Sequence, residues 1–280
     1  MVADREALRV TDETDLPRDE EAVPSTIDTT VPQTARVWNY WLGGKDNYPV
    51  DRALGDEIAE AYPIIADIAR GDRAVLNRAV RYLAGEAGIR QFLDVGTGLP
   101  TANNTHEVAQ AVAPTSRIVY VDYDPLVLVH ARALLTSGPE GATDYVDADL
   151  RDTGTILREA GRTLDLSQPV AVILSGILAH LPTVEEARAV VRRLIDALPA
   201  GSYLVVVDGT NTNQELNDVM RIWNASANPP YAMRSPEEFA SYFDCLELVE
   251  PGLVDVTRWH PDPDTSQEPL HNLVGVARKP

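Results

Sequence analysis

Residues 92–101, Phe-Leu-Asp-Val-Gly-Thr-Gly-Leu-Pro-Thr, place a carboxylate and two glycines where a cofactor site would need them. A short apolar run ends at Asp94, and Gly96 and Gly98 follow. A second apolar run, Ile118-Val119-Tyr120-Val121, ends at Asp122, and a further carboxylate, Asp149, lies in Asp147-Ala148-Asp149-Leu150. The pattern reads as strand, glycine turn, helix and second strand with an acidic tip, followed by a third strand with another. Ligands of open α/β sheets bind at the carboxyl ends of the strands. Acidic residues at successive strand ends therefore address one ligand.

Two adenosine-bearing cofactor classes suit such a turn. The dinucleotide fingerprint is Gly-x-Gly-x-x-Gly, with a pyrophosphate on the helix N-terminus. Here the third glycine is replaced by Thr101, and Asp94 would repel a pyrophosphate. S-adenosylmethionine (SAM) has no phosphate; it carries a sulfonium, an α-ammonium and a carboxylate. Asp94 can accept from the ammonium, and Gly96 and Gly98, on either side of Thr97, let the backbone approach the methionine end. Asp122, followed by Tyr123, can accept from the ribose hydroxyls, and Asp149 can accept from the adenine amino group. A Gly-x-Gly turn or a strand-end Asp alone is an ordinary turn or cap feature. The joint pattern, in this order, points to SAM, with S-adenosylhomocysteine (SAH) as product.

The elements that must position these residues follow from periodicity. Strands are expected at 91–95, 117–122, 143–147, 170–174 and 203–208, and helices at 103–112, 125–135, 153–160, 184–198 and 211–225. The alternation argues for a mostly parallel sheet covered on both faces. A short helix near 236–243 and strands at 246–250 and 273–278, the latter two as an edge hairpin, complete the chain. Upstream, residues 25–88 read as a helical extension, with helices at 51–61 and 66–84 and a first one carrying Val37, Trp38, Trp41 and Leu42. Residues 1–24 read as an acidic, disordered tail and 89–280 as the catalytic domain.

Trp38-Asn-Tyr-Trp-Leu-Gly-Gly-Lys-Asp-Asn-Tyr-Pro49 is unusual for a plain helix. One reading is a helix that packs its tryptophans and stops at the glycines. The other is a lid hinged at Gly43-Gly44, with Tyr40, Lys45, Asp46, Asn47 and Tyr48 bordering the active site. Methyl transfer is an in-line displacement that depends on alignment, and a base is needed only for a protonated nucleophile. His180, past the fourth strand, is the first candidate base or acceptor contact; the alternative is a histidine capping the turn before Pro182. His106, opening the first sheet helix, is a second candidate for the acceptor side. No His/Asp/Glu spacing reads as a metal site, and there is no Gly-x-Ser-x-Gly elbow.

Composition narrows the partners. The formal net charge of −19 disfavours nucleic acid. Eight Asp/Glu against three Arg in the first 21 residues supply part of that charge. The single Cys245 excludes an internal disulfide and fits a cytoplasmic protein. No signal peptide or uncharged run of about 18–20 residues is visible, so no membrane partner is expected.

Asp94-Val-Gly-Thr-Gly-Leu-Pro-Thr101, Asn104, His106-Glu-Val-Ala109 and Val121-Asp-Tyr-Asp-Pro125 resemble an actinobacterial S-adenosyl methyltransferase family long catalogued as a domain of unknown function. Tyr40-Trp-Leu-Gly-Gly-Lys-Asp-Asn-Tyr48 with Asp51-Arg52 is similar to that family's own signature. The resemblance covers about residues 24–280. It implies a Rossmann-like, seven-stranded class I methyltransferase sheet with an antiparallel edge hairpin. It assigns Asp94, Gly96 and Gly98 to the methionine end, Asp122 to the ribose, and Asp149 and Leu150 to the adenine, and it turns Ser175 toward the cofactor. Asn103 departs from the family, where a smaller residue such as Gly is usual. The expected function is methyl transfer from SAM to a small molecule with an O- or N-nucleophile. The alternative is a regulatory protein that binds SAM or SAH without turnover.

Overall fold

The computed structural model describes residues 27–134, 136–263 and 265–280; the acidic tail at 1–24 lies outside them. Five parallel strands, β1 (Gln91–Val95), β2 (Arg117–Asp122), β3 (Ala142–Asp147), β4 (Ala171–Ser175) and β5 (Tyr203–Gly209), run in the order β3-β2-β1-β4-β5. Order reverses between β1 and β4, so a crevice opens at their carboxyl ends. The last strand, β8 (Asn272–Arg278), pairs antiparallel with β5.

The seven-stranded expectation needs one correction, because the sheet has eight strands. β6 (Glu247–Leu248) and β7 (Val254–Asp255) share the outer edge of β8, one toward each end. Between them stands Pro251, which has no N–H to give a ladder, and the chain turns through Gly252 at φ +87°. The seventh column is thus one edge strand broken in two.

Side chains alternate across the sheet with period two. Phe92, Ile118, Tyr120, Ile173 and Val205 face a core with α3 (Ile65–Gly85) and α4 (Thr105–Val112), to which α5 (Pro125–Leu134) adds Ala131. Leu93, Val119, Val172, Leu174 and Val206 face the opposite core, with α6 (Thr153–Ala160), α7 (Val184–Asp196) and α9 (Pro236–Ala240). Asp94 shares the parity of Phe92, so its carboxylate emerges on the α3/α4 side.

A third cluster lies over the strand ends. It joins α1 (Thr34–Trp41), α2 (Pro49–Ala61) and the first turn of α3 to α8 (Gln214–Ser226) through Val37, Trp41, Ile58, Ile68, Val219 and Trp223. Arg36 and Asp51, both buried, pair at 3.0 Å, and the same guanidinium holds the Asp28 and Val31 carbonyls. Removing one partner of such a pair costs about 3–5 kcal/mol by stranding a buried charge.

The double glycine closes α1. Gly43, at φ +80°, donates to Tyr40 O at 2.9 Å and Gly44 donates to Asn39 O at 2.8 Å, which together make a Schellman stop. A Cβ on Gly44 would lie 2.3 Å from Asn39 Nδ2. The pair therefore ends a helix and admits a close neighbour; it is not built as a free hinge.

Candidate active site

A cleft of about 1070 Å³, counting its open mouth, lies over the β1/β4 crevice. Its floor is Asp94, Gly96, Thr97, Gly98, Asp122, Tyr123 and Ser175; α1 roofs it with Thr34, Trp38 and Asn39, joined by Leu42 just past its end. A second hollow, lined by Asp149, Leu150 and Arg151, continues it and shares Gly96, Asp122, Tyr123 and His180. All nine expected cofactor residues thus line one continuous cleft.

Asp94 is buried, and its Oδ2 accepts from Thr105 Oγ1 at 2.6 Å, which ties the strand end to the first turn of α4. Its other oxygen has no hydrogen bond among the described residues. Burial raises its pKa to about 6, opposed by the Thr105 bond and the nearby Arg73 guanidinium. Asp122 is held by backbone. Oδ2 accepts from Gly98 N at 2.9 Å, and Oδ1 accepts from Tyr123 N at 2.8 Å and Asp124 N at 3.0 Å. Burial is the largest influence on Asp122 and raises its pKa. These bonds use both in-plane lone pairs of Oδ1 and one of Oδ2, so the carboxylate is preset with Oδ2 as its more available oxygen. Asp149 is half-exposed; its Oδ2 lies 3.3 Å from Arg151, which also reaches Glu186 at 2.8 Å.

The turn itself is strained in the way glycine permits. Gly96 has φ +75°, and a Cβ there would lie 2.5 Å from Ile177 Cγ1. Gly96→Ala is expected to destabilise the ligand-free protein by about 1–3 kcal/mol, read from a urea unfolding midpoint. An unchanged midpoint would mean the turn relaxes freely. Asn103, the departure from the family pattern, has φ +59°. Asn is the side chain that best tolerates this left-handed conformation after Gly, so the exchange keeps the turn.

His180 ends a short 3-10 turn, Leu178–His180. Its Nδ1 is 2.9 Å from the Pro230 carbonyl oxygen. A carbonyl only accepts, so Nδ1 carries the proton and Nε2 keeps its lone pair. Nε2 is buried without a partner, in a side chain that lines both hollows. Burial is the largest influence and lowers the pKa, so the ring is neutral at neutral pH.

The remaining candidates stand elsewhere. His106 is buried against Tyr120, whose hydroxyl lies 2.8 Å from both its backbone N and Nδ1. It supports the α4–β2 contact and does not line the cleft. Tyr40, Lys45, Asp46, Asn47 and Tyr48 also do not line it. Tyr40 donates to Asp56 at 2.6 Å, Asp46 N and Asn47 Nδ2 donate to Asn39 Oδ1, and Tyr48 N-caps α2 with Asp51; Lys45 is exposed. The signature builds the loop that fixes Asn39, and it is Asn39 and Trp38 that meet the cleft. Sequence reasoning missed Asp72 and Arg73, which reach the cleft from α3. The available signal was position: Asp72 falls in the apolar stripe between Ile68 and Val75. Among the described residues no His, Cys, Asp and Glu side chains group to hold a metal. No described helix is long and apolar enough to cross a membrane.

A family model described as S-adenosyl methyltransferase matches residues 20–280. The chain belongs to that family. The enzyme is a SAM-dependent methyltransferase, and its cofactor is SAM. Among solved structures it is similar to a DUF574 family protein of Streptomyces avermitilis, at 46% identity over 90% of this chain and 99% of that one, with a TM-score of 0.87. It is also similar to a candidate methyltransferase of Thermobifida fusca, at 43% identity, 89% and 95% coverage and a TM-score of 0.82. The magnesium protoporphyrin IX methyltransferase of Synechocystis with bound SAH shares the fold at 14% identity, 87% and 93% coverage and a TM-score of 0.53. No curated protein matches the sequence. The methyltransferase's cleft is acidic: among the described residues Asp72, Asp94, Asp122, Asp124 and Asp149 face it against Arg73 and Arg151. That field suits a sulfonium and an ammonium and repels polyphosphate.

Proposed function

We propose that this methyltransferase acts on a small molecule through an oxygen or nitrogen nucleophile, with the cofactor laid along the strand ends. Adenine rests by Asp149, Leu150 and Tyr123, the ribose on Asp122, and the methionine on Asp94 and the Gly96–Gly98 turn beside Ser175. Arg73 stands close enough to Asp94 to influence its charge, and its buried Nε has no partner, so it suits the cofactor's carboxylate. Helix α1 serves as a roof over the site. The observation that carries the reading is the Nε2 of His180, which has no partner among the described residues, on a side chain that lines this acidic cleft. A neutral imidazole with its proton on the far nitrogen is ready to take one from an arriving nucleophile. Binding without turnover is not favoured, since the family is described as S-adenosyl methyltransferase and the Thermobifida fusca relative as a candidate methyltransferase. The acidic charge argues against nucleic acid as acceptor, and the lone exposed Cys245 suits the reducing cytoplasm.

The test uses SAM labelled in its methyl group and fractionated cell extract. Label is expected in the small-molecule fraction; label confined to protein or RNA would overturn the proposal. For the ribose contact, Asp122→Ala is expected to weaken SAH by about 1–3 kcal/mol in isothermal titration, as for losing a charged acceptor. Unchanged affinity would remove Asp122 from the cofactor site.

A further inference from the structure

One buried carboxylate in the cleft has no counter-charge. Asp72 is 6% exposed. Its Oδ2 accepts from Asn272 Nδ2 at 2.8 Å, while Oδ1 is buried without a partner among the described residues. The adjacent Arg73 donates instead to Asn104 Oδ1 at 3.1 Å. The charges that act on Asp72, Asp208 and Asp255, share its sign, and burial pushes its pKa well up. An unpaired buried carboxylate is costly and calls for a positive partner.

Its place in the sheet separates it from the cofactor's contacts. Asn272 pairs with Gly209 at the end of β5. Along the sheet, the cleft residues therefore run Asp149 by β3, Asp122 on β2, Asp94 on β1, Ser175 on β4, and then Asp72 by β5 and β8. On the proposed cofactor placement adenine, ribose and methionine would take the first four, which leaves Asp72 free for the acceptor. His180 lines both hollows, and it connects to this side through Tyr231: the two rings are edge-on, 5.3 Å between centroids, and the Tyr231 hydroxyl bonds Asp208. Asn272 also lines a smaller apolar hollow with Trp41, Trp223, Met220 and Met233, and Trp38 is the wall common to it and the main cleft.

We propose that Asp72 is the recognition group for the methyl acceptor, and that the acceptor is an amine carried on an apolar body. The nitrogen would sit at Asp72 Oδ1 in the cleft that His180 also lines, and the apolar part would enter the hollow behind Trp38. This inference rests on the SAM reading of the cleft. The acceptor's ammonium supplies the positive charge that Asp72 lacks, and the tryptophan faces favour the same cation. A matched alcohol would leave the carboxylate unpaired. In the reaction the ammonium gives a proton to His180 Nε2. The freed nitrogen lone pair forms the N–CH3 bond as the S–CH3 bond breaks, and that electron pair stays on sulfur. The products are the methylated ammonium and neutral SAH, and His180 passes its proton to solvent.

The test is calorimetric titration of the SAH-saturated enzyme with 2-phenylethylamine, tryptamine and hexylamine, each against its matched alcohol. At least one amine is expected to bind tenfold or more tightly than its alcohol. Asp72→Asn, which can keep the Asn272 bond, is expected to erase that preference and leave SAH affinity within twofold. Equal binding of amines and alcohols, or a preference that survives Asp72→Asn, would overturn the proposal. So would a tenfold loss of SAH affinity, which would move Asp72 to the cofactor's own ammonium. The wild-type comparison decides even if the variant does not fold. Wild-type enzyme that fails to bind SAH would instead refute the cofactor placement.

Discussion

Replacing His180 by glutamine is expected to lower kcat about 10²–10⁴-fold, the range for losing a general base, with SAH affinity within twofold. Glutamine can still donate to the Pro230 carbonyl that the wild-type Nδ1–H meets at 2.9 Å. It cannot accept a proton at neutral pH. The pH profile separates this role from packing. Burial lowers the folded-state pKa of His180, so the acid limb of kcat should lie below the ordinary imidazole value of about 6.5, and it should vanish in the variant. Stability has a related sign. Unfolded chains bind this proton near pH 6.5 and the folded enzyme binds it only lower. The contribution from burying neutral His180 is therefore present above about 6.5 and is lost as pH falls through the window beneath it. A variant with unchanged kcat would show that the acceptor arrives deprotonated and that His180 only fills space.

The second large effect concerns Asp94. Asp94→Asn is expected to raise the unfolding midpoint of the ligand-free enzyme above pH 6 and to weaken SAH by about 1.5–3 kcal/mol, the loss of a charged hydrogen bond. Burial raises the Asp94 pKa from 3.8 to about 6. That shift corresponds to about 3 kcal/mol against the charged form. The sign is opposite to the usual surface carboxylate: the folded protein holds this proton more tightly than the unfolded chain, so stability falls as pH rises from about 3.8 to about 6. An arriving ammonium reverses the balance by favouring the charged form. Wild-type SAH affinity should therefore drop as pH falls below about 6 and level off above it, and the variant should be flat. The readout is calorimetric affinity between pH 5 and 8. A wild-type curve without that bend would remove Asp94 from the ammonium site.

Much of this site was legible in the chain because its residues sit at strand ends. β1 and β2 match their expected spans to the residue, since apolar runs cut off by Asp and Gly mark where a buried strand stops. What stayed hidden depends on contacts between distant segments. Asp72 looks like one polar interruption in a helix until Asn272, some 200 residues away, is brought against it. The aromatic signature pointed to the right neighbourhood but the wrong side chains. Its conspicuous residues, Tyr40 and Lys45 to Tyr48, shape a loop, while the less conspicuous Asn39 is 2% exposed and lies at the centre of that loop's hydrogen bonds. β7 escaped notice because two residues after a Pro-Gly pair carry no period.

The broken rim of the sheet has a consequence for how copies of this enzyme can meet. An intact edge strand offers a continuous row of N–H and C=O groups that another chain can extend. Here the far rim offers only the two-residue pieces β6 and β7, with Pro251 between them. The opposite rim, β3, carries the charged side chains of Asp144 and Asp147. Neither border is a clean template for growing the sheet, so among the described residues helices and loops offer the better surfaces for specific self-association.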